Sequence, residues 1–185
     1  MGRLTLILGG ARSGKSTYAE RLASQRSFRV AYIATAQALD EEMSARIAMH
    51  QQKRPPSWQT LEIPANVGQT IQSNPPDVDV IILDCLTLLV SNLLLQTSPS
   101  PDEPDEKQAT VAVDRELSQL LEVIQASQAE WIVVSNEVGM GLVPPYHLGR
   151  IYRDLQGWAN QRLASNADQV YFMIAGIPMR LSPEE

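Results

Sequence analysis

The stretch Gly9-Gly10-Ala11-Arg12-Ser13-Gly14-Lys15-Ser16 fits the spacing G-x-x-x-x-G-K-S/T, and it follows an apolar run from Leu4 to Leu8. The apolar run reads as a buried strand, and the residues from Tyr18 to Ala23 read as the start of a helix. A strand, a glycine-rich turn and a helix N-terminus in that order make a phosphate-binding loop. Such a loop must point several backbone N–H groups at a polyphosphate, and glycines remove the side chains that would block the approach. Lys15 then brings a point charge to the β and γ phosphates. Ser16 offers a hydroxyl to Mg²⁺ where the helix dipole already favours anions, and Thr17 adds a second hydroxyl.

The 185 residues are 44% apolar and suffice for one α/β domain with a sizeable core, so residues 1–185 are expected to form a single nucleotide-binding domain. A net charge of −6, with no dense run of Lys and Arg, argues against nucleic acid as a partner. The single cysteine, Cys85, excludes an internal disulfide and a multi-cysteine metal site. It fits a reducing compartment, and no signal-peptide pattern precedes the first strand, so a cytoplasmic location is expected. Val80 to Leu95 is the most apolar stretch, but it falls short of the ~20 residues of a membrane span and contains Asp84, Ser91 and Asn92. It reads as a strand followed by a buried helix.

Along the chain, strand and helix signals alternate. Arg29 to Ile33 forms a second strand that ends in Ala34, Thr35 and Ala36, small residues at the carboxyl edge where open α/β sheets place ligands. Asp40-Glu41-Glu42 opens a helix that runs to about Gln52. Arg46 and His50 share one of its faces, and Lys53 and Arg54 follow, giving the densest positive patch in the chain. That patch is either a solvated helix terminus or a phosphate-facing cluster in which His50 is a nucleophile or acid/base group. Trp58 to Ile63 is a third strand carrying Glu62, and Asn66 is placed to cap a short helix to Ile71.

Val78 to Leu83 is a nearly continuous β-branched run that delivers Asp84 to the same carboxyl edge. An aspartate there serves either as a helix N-cap or as a Mg²⁺ partner, and the phosphate loop favours the second role. Gln96 to Glu106, acidic and proline-rich, reads as a loop. Ala109 to Gln128 is helical with Val113, Leu117, Leu120, Leu121 and Ile124 on its apolar face, and Trp131 to Val134 is a further strand. The Gly- and Pro-punctuated segment 136–145 is a loop, and His147 to Asn166 is a helix on which Arg150 and Arg153 stand either in solvent or near a phosphate. The last strand is expected at Gln169 to Ile174.

Taken together, these residues resemble one family, the bifunctional adenosylcobinamide kinases and adenosylcobinamide-phosphate guanylyltransferases of cobalamin biosynthesis. The resemblance rests on Gly9 to Ser16, on Tyr32-Ile33-Ala34-Thr35-Ala36, and on Asp40 to Met43 with Arg46, Ile47 and His50. It continues through Arg54-Pro55 with Trp58, Asp84-Cys85-Leu86-Thr87, and Asn136 to Gly141 with Val143-Pro144. It implies a mostly parallel α/β fold of the phosphate-loop NTPase, RecA-like type. It also implies two reactions: phosphorylation of adenosylcobinamide by ATP or GTP with Mg²⁺, then transfer of GMP from GTP to adenosylcobinamide phosphate.

By the same resemblance His50 is the guanylylated residue, while Ala34, Thr35, Ala36, Gln51, Gln52, Lys53, Arg54, Glu62 and Asp84 surround the guanine nucleotide. Glu62 either accepts hydrogen bonds from the guanine N1 and N2 groups or stands solvated at the end of its strand. Ser16 and Asp84 would face the metal, Lys15 would serve catalysis, and the subunits would form a homotrimer. Two other readings stay open on the residues alone: a small-molecule kinase without the transferase step, and a RecA-like regulator driven by nucleotide hydrolysis.

Overall fold

The computed structural model describes residues 2–37, 54–100 and 102–181. Strand β1 (Leu4–Gly9) is buried at every position, and it turns through the glycine-rich loop into α1 (Lys15–Arg26). Next come β2 (Val30–Ala34), β3 (Gln59–Glu62), the short α2 (Val67–Ser73) and β4 (Val80–Asp84). The chain continues through α3 (Leu86–Thr97), α4 (Glu106–Ala126), β5 (Glu130–Val134), α5 (His147–Ala164) and the hairpin β6 (Gln169–Ile174) and β7 (Ile177–Leu181). The expected helix from Asp40 to Gln52 lies outside the described residues.

The strands form one sheet in the order β3-β2-β4-β5-β1-β6-β7. Neighbours from β3 to β6 pair in parallel, and only β7 runs antiparallel. Strands of a parallel sheet are buried on both faces, which is why they read as unbroken apolar runs rather than alternating ones. On one face Leu4, Leu6, Ala31, Ile33, Ile81, Leu83, Trp131 and Val133 pack against the four helices α2 to α5. On the other, Ile7, Tyr32, Ile82, Ile132 and Val134 pack with Ala19 and Ala23 of α1. The Val80–Leu95 stretch is β4 and buried α3, and among the described residues no helix is long and apolar enough to cross a membrane.

Strand β7 was not expected. It is an edge strand of five residues that contains Pro178, a residue sheets tolerate at their edges. A two-residue turn with Ala175 at φ 50° and Gly176 at φ 82° folds it back on β6, the positive-φ geometry of a tight hairpin. The turn braces the phosphate loop, because the Gly176 N–H donates to the Ser13 carbonyl at 3.0 Å.

A second correction concerns Asn66. It stands at the N-cap of α2, but at φ 56° its side chain makes no capping bond. The cap comes from Glu116 on α4 instead: this 2% exposed side chain accepts from the Gly68 N–H at 3.2 Å. Burial pushes its carboxyl above the usual range, and the N–H groups of Gly68, Asn66 and Val67 oppose that rise. A raised carboxyl favours the folded state most below the ordinary value, and the advantage declines as pH rises toward the raised one. Glu116→Ala therefore should cost about 1–3 kcal/mol by orphaning a buried donor. A thermal melt should register this as a Tm lower by roughly 2–12 °C, with the larger deficit at pH 5 than at pH 8. Equal melting of mutant and wild type at both pH values would remove the capping role.

Candidate functional site

The sheet order opens a cleft. β1 carries the phosphate loop and β4 carries Asp84, with β5 between them, so the two carboxyl ends stand two strand spacings apart, about 9.5 Å. A cavity of about 520 Å³ occupies that edge, lined by the loop and helix start from Ala11 to Thr17, by Tyr32, Ala34, Ala36, Arg54 and Asp84, and by Asn136 beyond β5.

The loop's conformation follows from its residues. Gly9 has φ 149°, and a Cβ there would lie 2.7 Å from the Met173 carbonyl; Gly14 has φ 94° and faces the Gly176 Cα. These two glycines let β1 and β6 close behind the loop while its N–H groups point outward. Arg12, at φ 56°, takes the left-handed conformation at the exposed tip. Lys15 is 7% exposed, and its Nζ donates to the Gly10 carbonyl at 2.6 Å and to Ser13 Oγ at 3.5 Å. Burial lowers its pKa below the usual lysine range, while Cys85 and Asp84 beside it resist the fall.

Asp84 ends β4, and the N-cap of α3 is Cys85, so the aspartate does not cap the helix. Its Oδ2 accepts instead from the Tyr32 hydroxyl at 2.5 Å. Burial, followed by the Asp84 carboxylate, holds that phenol protonated far above neutrality. The Arg54 guanidinium lies over the Tyr32 ring, 3.5 Å from its centroid, and donates through Nη1 to Thr60 Oγ1 at 3.3 Å. Its Nε is buried and has no partner among the described residues. Cys85 also lines the cavity, but burial pushes its thiol up to about 11, so it is a neutral group and a poor nucleophile near pH 7.

Other sequence-selected residues fall into place unevenly. Gly9, Gly10, Thr35 and Glu62 are not among the residues lining the cavity. The Thr35 hydroxyl is fully buried; it donates to the Cys85 carbonyl at 2.7 Å and accepts from the Cys85 N–H at 2.8 Å, tying β2 to β4. Glu62 is exposed at the end of β3, in register with Ala34. Arg150 donates to the Pro144 and Pro145 carbonyls and Arg153 to Asp154, neither lines the cavity, and His147 is an exposed helix start. His50, Gln51, Gln52 and Lys53 lie outside the described residues.

Sequence reading missed two supports. Tyr32 received no role of its own, because its partner is 52 residues away and meets it only through the β2–β4 register. The second is a buried relay on α5: Gln156 donates to Ser135 Oγ and to Asn160 Oδ1, and Asn160 donates to the Asn136 carbonyl at 3.0 Å. The Asn136 N–H in turn donates to Thr87 Oγ1 at 2.7 Å, fixing the end of β5 against α3. The i, i+4 spacing of Gln156 and Asn160 on one helix face was the available signal.

The donor set suits a metal–nucleotide ligand. A hydroxyl from Ser16 and a carboxylate from Asp84 are hard oxygen ligands of the kind Mg²⁺ shares with phosphates and water. Lys15 and the N-terminus of α1 suit the phosphates themselves.

Comparison with known proteins agrees with this geometry. Residues 5–181 match the model of the family described as cobinamide kinase / cobinamide phosphate guanyltransferase. The bifunctional adenosylcobalamin biosynthesis protein CobP of Pseudomonas aeruginosa is 45% identical over 179 residues, 97% of each chain. The bifunctional adenosylcobalamin biosynthesis protein CobU of Escherichia coli K12 is 41% identical over 180 residues, 96% of this chain and 99% of the other. Among solved structures, the RadB recombinase superposes with a TM-score of 0.53 at 16% identity, over 92% of this chain and 74% of that one. At that identity the likeness concerns the fold alone, and it is RecA-like. With nearly its full length matched by the family model and by relatives above 40% identity, this chain belongs to the cobinamide kinase / cobinamide phosphate guanyltransferase family.

Proposed function

We infer that the chain is a bifunctional enzyme of adenosylcobalamin biosynthesis. It phosphorylates the aminopropanol hydroxyl of adenosylcobinamide with ATP or GTP, then transfers GMP from GTP to that phosphate, releasing pyrophosphate. The observation that carries this reading is the meeting of Lys15, Ser16 and Asp84 at one cavity, in a chain whose residues 5–181 match the family.

In the first reaction the substrate hydroxyl oxygen bonds to the γ-phosphorus as the bond to the β-bridging oxygen breaks, the hydroxyl proton passing to water and the nucleoside diphosphate leaving. Lys15 Nζ and the N–H groups that begin α1 stabilise charge on the phosphate oxygens, in a site where water is partly excluded. Ser16 and Asp84 would hold Mg²⁺, which when bound neutralises phosphate charge. In the second reaction an imidazole nitrogen of His50 bonds to the α-phosphorus as pyrophosphate leaves. A phosphate oxygen of adenosylcobinamide phosphate then displaces the imidazole.

Support for His50 comes from its match to the family's guanylylated histidine, and from Arg54, four residues further along, which lines the cavity with a buried Nε that has no partner among the described residues. Ala34 and Ala36 leave room for the nucleotide, and Gln51 to Lys53 and Glu62 are assigned to it by resemblance. The same resemblance makes the chain a homotrimer. The loop that begins at Asn136 exposes Met140, Leu142, Val143 and Tyr146, an apolar surface of the kind that a neighbouring subunit or a corrinoid would cover.

The test supplies labelled ATP or GTP with and without adenosylcobinamide. Phosphate transfer to the corrinoid, followed with GTP by pyrophosphate release, is expected, with nucleotide consumption dependent on the corrinoid. Equal GTP hydrolysis without it would favour the nucleotide-driven regulator instead.

A further inference from the structure

We propose that Tyr32 is a positioning residue for Asp84, its buried hydroxyl fixing which carboxylate oxygen faces the metal and the nucleotide. The inference rests on the reading of Asp84 as the metal-side carboxylate, and adds to it a residue outside the loop-and-aspartate pattern.

The geometry that points to it begins with register. Tyr32 of β2 pairs with Ile82 of β4, and Ala34 pairs with Asp84, so the tyrosine stands one pleat repeat below the aspartate on the same face of the sheet. Its ring is 2% exposed and packs with Ile82 and Val134 on the α1 side. From there the hydroxyl reaches up to Asp84 Oδ2 at 2.5 Å, and among the described residues no other side chain donates to that carboxylate. One oxygen is thus held from below, and the other is left to turn toward the cavity that Asp84 lines.

The ring is itself held. It is packed in the core around it, and the Arg54 guanidinium covers it at 3.5 Å, an attractive contact between a cation and the ring face. The hydroxyl therefore has little freedom, and neither has the carboxylate it binds. Partners that orient a metal-binding carboxylate or imidazole in this way typically alter metal affinity or activity by about 10- to 100-fold when removed. Arg54 and Asp84 both line the cavity, so the ring that one covers and the hydroxyl that the other accepts from belong to a single support beneath it.

Tyr32→Phe removes the hydroxyl and keeps the ring, its packing and the stacked Arg54. The test measures binding of a fluorescent GTP analogue to the full chain, in EDTA and across a Mg²⁺ titration, with kinase turnover measured alongside. The expected result is an unchanged affinity in EDTA and a half-saturating Mg²⁺ concentration raised about 10- to 100-fold. In an Asp84→Asn background, Tyr32→Phe should add nothing further. An unchanged Mg²⁺ requirement in Tyr32→Phe, where Asp84→Asn does raise it, overturns the inference and leaves the role of Asp84 standing. The same fold-rise on top of Asp84→Asn also overturns it, since Tyr32 would then act elsewhere. An unchanged requirement in Asp84→Asn itself sinks both.

Discussion

Lys15→Ala is expected to depress both the kinase and the guanylyltransferase reactions, with kcat/KM falling by about 10²- to 10³-fold in each. Lys15 is 7% exposed and its ammonium is tethered to the Gly10 carbonyl and Ser13 Oγ, so it is preorganised inside the curve of the loop that receives the phosphates. Removing it takes a charge from a site where water screens little, which is why the loss should exceed that of a surface lysine. The N–H groups at the start of α1 remain, so nucleotide binding weakens without vanishing. Lys15→Arg should not rescue, because a planar guanidinium neither fits the buried position nor replaces a point charge between phosphates. Steady-state kinetics of both reactions provide the check. Wild-type turnover in Lys15→Ala would take the loop out of the mechanism.

What made the loop readable was that its chemistry is local. Eight consecutive residues carry the spacing, and the strand and helix on either side confirm the context within 26 residues. Asp84 was readable for a related reason, since an apolar β-branched run ending in a carboxylate leaves few places for the charge except the sheet's edge. The supports around them are not local. Tyr32 meets Asp84, and Glu116 meets the start of α2, across 52 and 48 residues of chain, contacts set by sheet register and helix packing. A tyrosine within a buried strand and a glutamate next to Leu117 carry no mark of such a partner in their own neighbourhood. Strand β7 was hidden differently: Pro178 interrupts the strand pattern, Ile177 and Met179 are exposed, and only the Ala175-Gly176 turn hinted at a hairpin.

His50→Ala is expected to abolish the GMP adduct on the protein while phosphorylation of adenosylcobinamide persists. Guanylyl transfer should fall by roughly a thousandfold or more, the scale seen when a covalent nucleophile is deleted. The two activities separate because they use different bonds of the nucleotide: the kinase reaction breaks the β–γ linkage, where Lys15 is proposed to act, whereas the transferase reaction breaks the α–β linkage. Imidazole suits the second task, since its neutral form is nucleophilic near pH 7 and the resulting P–N bond is labile enough to pass GMP onward. Arg46, Lys53 and Arg54 stand near it in the sequence, and cations beside an α-phosphate would stabilise the charge that develops as it is attacked. Cys85 does not compete for the role, because its thiol is held neutral. Incubation with labelled GTP, followed by acid and base treatment and peptide mapping, reads the outcome. A phosphoramidate should be lost in acid, survive base, and map to His50. An acid-labile adduct undiminished in His50→Ala would move the nucleophile to an amine, with Lys53 as the first residue to replace.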